Sequence, residues 1–447
     1  FSINLNLRRL DILDLSAPET PVLVQSVPLD GKPNSVAVQR GIVAVALEGG
    51  RKTDPGSVRF FTTSGAFLNQ LTVGALPDML TFTPDGSRLL VANEATPTVY
   101  GTLASTSANG TRSFNPAVND PVGSVSIIDV GSRSVIATPT FAGVPQTGSH
   151  LRLNTGMDFE PESIAVSADG SRAFVMLQEA NGMAVLNLTN NTFERVVGLG
   201  AKDFSLPGNQ IDPLNNGTVS FISPNVRGLY MPDGVASFDR NGVTYVVMGN
   251  EGDFREDDGD RSAASTFGAT SPLNNLRVLN TDSSNLPGGL FTAGTRSFSI
   301  RDANGNLVFD SGDTLDKEAF ARGIYNDVRS RDRGVEPEGV DLLQIDGRMY
   351  AFIGLERTLQ SAVAIYDITD PASSTFLDMI VTHGDVSPEG LRAFSMGGMH
   401  YLAIANEVSN TTSLYTLAPV PEAETYAMML AGLGLVGWAV RRRRTRS

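Results

Sequence analysis

The chain contains no cysteine among its 447 residues, and it has only three histidines. The absence of cysteine excludes disulfides, thiolate metal sites and a cysteine nucleophile. His150, His383 and His400 lie far apart and form no His-Glu-x-x-His motif, so the sequence predicts neither a zinc site nor a histidine base. Basic residues are scarce as well, with 34 Lys and Arg against 48 Asp and Glu and a formal charge of −14. That balance argues against nucleic acid as a partner, because phosphate binding needs clustered Lys and Arg.

A hairpin motif occurs six times along the chain. A proline followed by an acid or an amide opens an apolar strand, and about 15 to 19 residues later a second strand ends at a glutamate. The opening steps are Pro33-Asn34, Pro77-Asp78, Pro161-Glu162, Pro232-Asp233, Pro337-Glu338 and Pro388-Glu389. The closing residues are Glu48, Glu94, Glu179, Glu251, Glu356 and Glu407. Repeats of one supersecondary unit indicate an array in which each unit buries its faces against neighbours.

The repeated unit is predicted to be a small antiparallel sheet. Strand patterns at residues 80–82 and 88–92 flank a Pro-Asp-Gly-Ser turn, and a third alternating strand follows at 123–130. Radial closure would protect the edges of such sheets. We therefore predict an all-β fold, a six- to seven-bladed β-propeller. Because residues 10–18 read like the third strand at 364–371, the first blade is expected to be incomplete.

The hairpin geometry predicts that both sets of acids lie at one end of the ring. The start of the first strand and the end of the second strand are at the same end of a hairpin. Carboxylates at close range raise one another's pKa unless cations or backbone N–H groups compensate, and hard oxygen ligands suit Ca²⁺ or Mg²⁺. A glutamate repeated in every blade is also what a purely structural role would produce. Both interpretations remain open at this level.

The segment from Glu251 to Asp260 contains additional acids at the start of a long connection. Acids alternating with glycine allow a turn that surrounds a cation, although the spacing is not that of an EF-hand and a solvated acidic loop is the alternative. The predicted metal or ligand face therefore comprises Glu94, Glu179, Glu251, Asp253, Asp257, Asp258, Asp260, Glu338, Glu356, Glu389 and Glu407.

The C-terminal tail has three elements in a fixed order. Val420, Pro421 and Glu422 precede an uncharged apolar run at residues 426–440, and a basic cluster of Arg441, Arg442, Arg443 and Arg444 follows. The run predicts a short transmembrane helix whose arginines would hold its end in the cytoplasm. This tail resembles the PEP-CTERM sorting signal of Gram-negative bacteria. The resemblance implies export, an intermediate anchored in the inner membrane, processing by an exosortase-type enzyme and delivery to the cell surface or extracellular matrix; an ordinary membrane anchor is the alternative.

The rest of the chain resembles the choice-of-anchor I family in the segments at residues 77–86, 249–253, 307–313, 336–340 and 352–357. Members of that family are bacterial surface propellers, similar to mesenchyme-specific cell-surface glycoproteins. The resemblance implies two parts, a propeller at residues 1–418 and a sorting signal at 419–447.

The predicted function is an exported, surface-associated binding or matrix module. A divalent cation, with Ca²⁺ as the candidate cofactor, would bind the acidic face, and extracellular polysaccharide is a candidate partner. The alternative is a calcium-dependent phosphoesterase at that face, similar to alkaline phosphatase or phytase, in which metal ions would activate water. A ring with a structural role alone is the third possibility.

Overall fold

The computed structural model describes residues 1–18, 20–101, 103–106, 112–114, 118–153, 159–255 and 259–417, with backbone alone for 103–106 and 112–114. Seven main sheets follow one another along these residues. The first three contain β1 (Ser2–Asn4), β2 (Arg9–Asp14) and β3 (Val22–Pro28); β4 (Pro33–Gln39), β5 (Ile42–Leu47), β6 (Pro55–Thr62) and β7 (Phe67–Ala75); and β8 (Pro77–Phe82), β9 (Arg88–Asn93), β12 (Ser124–Asp129) and β13 (Ser134–Ala137). A separate hairpin, β10 (Leu103–Thr106) and β11 (Arg112–Phe114), is inserted in the third.

The other four sheets repeat this order. The fourth contains β15 (Pro161–Val166), β16 (Arg172–Leu177), β17 (Gly182–Asn187) and β18 (Thr192–Leu199), with β14 (Gln146–Ser149) added parallel to β18. The fifth contains β21 (Val235–Arg240), β22 (Val243–Gly249), β26 (Phe298–Asp302) and β27 (Leu307–Asp310); the sixth contains β28 (Pro337–Ile345), β29 (Arg348–Leu355), β30 (Ser361–Asp367) and β31 (Thr375–Thr382); the seventh contains β32 (Pro388–Met396), β33 (Met399–Asn406) and β34 (Thr411–Leu417).

The sheets are arranged around a common axis. The first strands contact one another in sequence, β4 with β8, β8 with β15, β15 with β21, β21 with β28 and β28 with β32. At the junction of the seventh and first sheets, Asn6 Nδ2 donates to Asn410 Oδ1 over 3.1 Å. Each of the six predicted hairpins forms the first two strands of one sheet. This arrangement is that of a β-propeller.

The first sheet has three described strands, and they occupy the second to fourth positions. In it, β1 contacts β4, just as the second strands β5, β9, β22 and β29 contact the first strand of the following sheet. β2 then takes the third position, in agreement with the likeness of residues 10–18 to β30.

The second strands are apolar over most of their length because each sheet is covered on both faces by its neighbours. In β5, residues 43–47 are all buried, and the same holds for residues 89–93 in β9 and 173–177 in β16. Apolar clusters fill the spaces between sheets, such as Phe60 with Leu89 and Phe298 with Ile353. The period-2 alternation typical of a half-exposed sheet is consequently lost in these strands.

The two longest connections fold together rather than remaining separate loops. Residues between β18 and β21 form β19 (Ala201–Asp203) and β20 (Arg227–Leu229), and residues between β22 and β26 form β23 (Arg261–Ala263), β24 (Arg277–Leu279) and β25 (Phe291–Thr292). β20 pairs with β25, and Phe204, Leu276 and Val278 share a small core. We call these two connections the cap. A further connection contains α1 (Thr314–Ala321), and short 3₁₀ turns occur at Ala264–Phe267, Asp327–Arg329 and Pro371–Ser373.

Candidate functional site

The backbone at the start of the first strand positions an acid in the third, fourth, sixth and seventh sheets and the amide Asn34 in the second. In these five sheets the pairing register shifts directly after the proline, between Pro33 and Ser35, Pro77 and Leu80, Pro161 and Ile164, Pro337 and Val340, and Pro388 and Gly390. Asp233, by contrast, precedes β21 and has no such register shift. A bulge of this kind leaves the residue after the proline outside the ladder and changes the direction of its side chain. The acids that follow the prolines are here called the inner acids: Asp78, Glu162, Asp233, Glu338 and Glu389.

The inner acids converge although they belong to five sheets. Burial, together with Glu94, Asp233 and Glu389, raises the pKa of Asp78 well above its ordinary value. Burial and neighbouring acids, Asp233 and Asp78 among them, also raise the pKa of Glu162 well above its ordinary value. Because Asp78 in the third sheet acts on Glu389 in the seventh, these acids surround the axis of the ring.

Three carboxylates come close enough to share one cation. Oxygen atoms of Asp233, Glu251 and Glu338 all lie within 4.8 Å of one another. Burial raises the pKa of Asp233 to about 6, and this shift is opposed by a hydrogen bond between its carboxyl group and that of Glu338. Among the described residues, the buried Oε2 of Glu338 has no hydrogen-bond partner. We call these three residues the axial cluster.

The closing glutamates differ from the inner acids because most of them have a basic partner. Glu48 pairs with Lys32 at 2.6 Å, Glu251 with Arg333 at 3.0 Å and Glu356 with Arg357 at 2.7 Å. Lys52 and Arg255 lower the pKa values of Glu94 and Glu179 electrostatically, although burial still raises those values to about 7 and about 8. The closing glutamates are thus largely compensated in charge.

The recurrence of the closing glutamates also has a backbone cause. In four of the six repeats the N–H of the closing glutamate donates to the carbonyl of the residue before the proline, as in Glu94 to Leu76 at 2.9 Å and Glu407 to Ser387 at 2.8 Å. In the fifth sheet the N–H of Gly252, one residue further on, donates to Met231 O. These bonds join the ends of the first two strands. The acids at this end of the ring therefore form two groups: the inner acids face one another, and most closing glutamates face bases.

Three acids of the segment from Glu251 to Asp260 are held in ion pairs. Asp260 is completely buried and accepts from Arg152 Nη2 at 2.6 Å, so its carboxylate is already paired with a base. Asp253 lies 3.0 Å from Arg333 Nη1, the guanidinium that also pairs with Glu251. Asp257 and Asp258 lie outside the described residues.

Two buried glutamates were missed by the sequence prediction, although a signal for them exists. Glu160 and Glu336 directly precede the prolines of the fourth and sixth sheets, so that Glu-Pro-Glu occurs in two of the six repeats. Glu336 is completely buried, 2.6 Å from Arg329 Nε and 2.8 Å from Arg333 Nη2. Glu160 is 3.9 Å from Arg255 Nε. A second close group, Glu251, Glu336 and Glu356, is consequently neutralised by arginine and suits a metal ion less well.

The cap makes the acidic end asymmetric. Arg152 and Arg255 connect the cap to the fourth sheet, and Arg333 connects Asp253 of the cap to Glu336 at the sixth. On this side Glu179, Glu251 and Glu356 are only 4 to 8% exposed. In the seventh sheet, by contrast, Glu389 and Glu407 are exposed. The acidic end of the ring is therefore more open to solvent at the seventh sheet than beside the cap.

These features define a class, that of β-propellers with an acidic axis. Residues 3–371 match the model of the choice-of-anchor I domain, and the chain belongs to that family. Residues 419–444 match the PEP-CTERM protein-sorting motif, which implies processing by an exosortase-type enzyme. Together the two matches indicate an exported cell-surface protein of a Gram-negative bacterium.

Two similar proteins support the family and the fold. A mesenchyme-specific cell surface glycoprotein of Strongylocentrotus purpuratus is 27% identical over 150 residues, a match that covers 29% of this chain and 18% of the glycoprotein. The chain thus spans about a fifth of that relative. Hydrazine synthase of Kuenenia stuttgartiensis has 13% identity and a TM-score of 0.50, with 92% of this chain and 90% of that chain covered. This second likeness concerns the fold alone.

The sorting residues Val420, Pro421, Glu422 and Arg441 to Arg444 lie outside the described residues, as does the predicted membrane helix at 426–440. Within the part of the chain that the structure describes, no helix is sufficiently long and apolar to cross a membrane.

Proposed function

We propose that this protein is a surface-displayed binding module whose axial cluster holds a divalent cation, with Ca²⁺ as the favoured ion. The proposal rests on one observation above all: oxygens of Asp233, Glu251 and Glu338 lie within 4.8 Å of one another. A cation there would offset the repulsion among carboxylates that burial otherwise increases. Ca²⁺ accepts six to eight oxygen ligands in irregular geometry, and water can complete such a shell.

The surrounding charges favour the inner acids over the closing glutamates as ligands. Glu251 already accepts from Arg333 Nη1 at 3.0 Å and from Gln178 Nε2 at 2.8 Å, so its carboxylate is fixed in place. Asp233 and Glu338 have carboxylate oxygens within 4.8 Å of each other, and burial raises the pKa of both groups. We therefore assign Asp233 and Glu338 as the principal ligands. Glu251 would contribute a carboxylate that Arg333 and Gln178 hold in place.

Calcium-dependent thermal stability tests the proposal. Addition of CaCl₂ to chelator-treated protein is expected to raise Tm, and the Asp233→Asn, Glu338→Gln double variant should lose most of that increment. Asp239→Asn is the matched control, because Asp239 is an exposed acid on β21, the strand that follows Asp233. Neutralising the acids also relieves repulsion in the chelated protein, so the calcium increment rather than Tm itself is decisive. An unchanged increment in the double variant would refute the assignment.

Hydrolysis of p-nitrophenyl phosphate separates binding from the phosphoesterase alternative. The proposed binding module gives no turnover with Ca²⁺ or Mg²⁺. Calcium-dependent turnover that disappears in Glu338→Gln would replace the binding function with hydrolysis at the same cluster.

We further propose that residues 1–418 are released at the surface after processing near Pro421 and Glu422, with residues 426–440 as the membrane helix of the intermediate. Support comes from the match of residues 419–444 to the sorting motif. Replacement of Arg441 to Arg444 by alanine should reduce the amount of processed protein at the surface, as measured by mass spectrometry of cell fractions. Equal processing of this variant would remove the arginines from the signal.

A further inference from the structure

A cavity of about 340 Å³ lies on the flank of the ring, away from the axial cluster. Its walls come from the ends of β14 and β18 in the fourth sheet and from the turn between β26 and β27 in the fifth. The lining is polar and small, with Thr147, Ser149 and Asn304 beside several glycines. Gly200 has a φ of +80°, and a Cβ there would meet only the Ser149 hydroxyl at 3.5 Å, so this wall faces open space.

Arg301 lines this cavity and is only 3% exposed. Its Nη1 donates to Gly305 O and its Nη2 to Leu199 O, both over 2.8 Å, while its guanidinium lies 4.4 Å from the centre of the Tyr230 ring. Nε has no hydrogen-bond partner among the described residues. A guanidinium has five N–H donors, and only neutral groups bind the two that are used here.

Other arginines of similar burial have a carboxylate within ion-pair distance. Arg152 reaches Asp260 at 2.6 Å, Arg296 reaches Asp316 at 3.4 Å and Arg255 reaches Glu160 at 3.9 Å. Within the described chain Arg301 has no carboxylate within 4.0 Å, and Asp310 and Asp302 act on it only from longer range. A buried charge is costly without a partner of opposite sign. Arg301 thus gives the cavity a positive charge that no described carboxylate neutralises at ion-pair distance.

We propose that this cavity binds an anionic sugar, a uronate unit of an extracellular polysaccharide being the simplest example. Arginine binds a planar carboxylate through two parallel N–H groups, which lysine cannot do. The hydroxyl groups of Thr147 and Ser149 and the amide of Asn304 supply donors and acceptors for sugar hydroxyls. The site is independent of the axial cluster and does not require a cation.

Titration calorimetry of the full-length protein in chelator tests this proposal, with digalacturonate as the probe and a neutral disaccharide and inorganic sulfate as comparisons. Asn304→Asp places a negative charge at an exposed position of the lining and keeps the oxygen that accepts from Arg195 Nη2 at 3.1 Å. It is expected to weaken digalacturonate binding at least tenfold. Asn190→Asp is the control, an identical exchange at an exposed turn outside the lining.

Arg301→Lys retains the positive charge but lacks the planar guanidinium with its parallel N–H groups. Its affinity for digalacturonate should also fall at least tenfold, provided that its Tm is unchanged. Glu338→Gln, which alters the axial cluster, should bind digalacturonate as the unmodified protein does; equal loss there would place the sugar at the axis and overturn the proposal. Absence of digalacturonate binding, equal binding of the neutral disaccharide, or an unaffected Asn304→Asp variant would overturn it as well. Sulfate binding of equal strength would refute the sugar component and leave an oxyanion site.

Discussion

Raising the pH from 5 to 8 in the presence of a chelator should destabilise this protein, and Glu356 shows why. Burial and the nearby Glu336 raise the pKa of Glu356 from 4.5 to about 7, although Arg357 and Arg333 oppose the shift. Between these two values the folded protein holds a proton that the unfolded chain has released. The stabilisation is therefore complete below pH 4.5 and is lost as the pH rises through 7.

The size of the effect follows from the shift in pKa. A difference of about 2.5 units at 1.36 kcal/mol per unit corresponds to about 3 kcal/mol for Glu356. For a chain of 447 residues the entropy of unfolding is about 0.9 kcal/mol per degree, so this one group lowers Tm by about 3 °C across the window. Glu94, whose pKa is also raised to about 7, adds to the decline. Asp85, with a pKa lowered to about 2, changes charge only at more acidic pH.

Differential scanning calorimetry between pH 5 and 8 measures this slope. Glu356→Gln should flatten the decline in Tm by about 3 °C. Glu194→Gln is the control, because the pKa of Glu194 is lowered by its hydrogen bonds with Arg172 and Asn187 and the carboxylate stays ionised throughout the window. A Tm that is constant or rises with pH, or a Glu356→Gln variant with the unmodified slope, would refute the reasoning.

Three further outcomes are expected in urea unfolding. Arg333→Met should cost about 3–5 kcal/mol because it leaves buried carboxylates unpaired, whereas Arg348→Met at an exposed pair should cost at most about 1 kcal/mol; equal costs would contradict the charge pattern. Asp260→Asn should destabilise the protein by about 3 kcal/mol. The rise in Tm on addition of CaCl₂ should remain, and its loss would indicate that Asp260 is a metal ligand. Gly234→Ala should be strongly destabilising because its Cβ would lie 2.1 Å from Glu338 O, while Gly50→Ala, with 3.5 Å to its nearest neighbour, should be tolerated.

Much of the fold could be predicted because the same local pattern recurs. A proline has no backbone N–H to donate to a neighbouring strand, so it marks the start of a strand at the edge of a sheet. The apolar second strand then follows within each repeat. Both features are local in sequence and recur in six of the seven main sheets. The third-strand character of residues 10–18 was found in the same way, by comparison with another copy of the unit.

The cap shows where such reasoning ends. Its two connections have no repeated counterpart, and β20 and β25 pair across more than 60 residues of intervening chain. The spacing of residues along the sequence does not indicate that these two connections meet. Their contact depends on how the fifth sheet, whose strands β21 and β22 lie between them in the chain, is placed in the ring. The ion pair between Arg152 and Asp260, which are 108 positions apart in sequence, is likewise decided by the tertiary structure.

The sequence by itself determined the number of hairpins, the end of each hairpin that carries the acids, and the family, because these follow from local spacing. Tertiary structure alone decided which acids remain without a base. Glu251 and Glu338 look alike in sequence, yet Arg333 reaches the first and no described basic side chain pairs with the second. Charge compensation acts through space over a few ångströms, and only the packed ring fixes those distances.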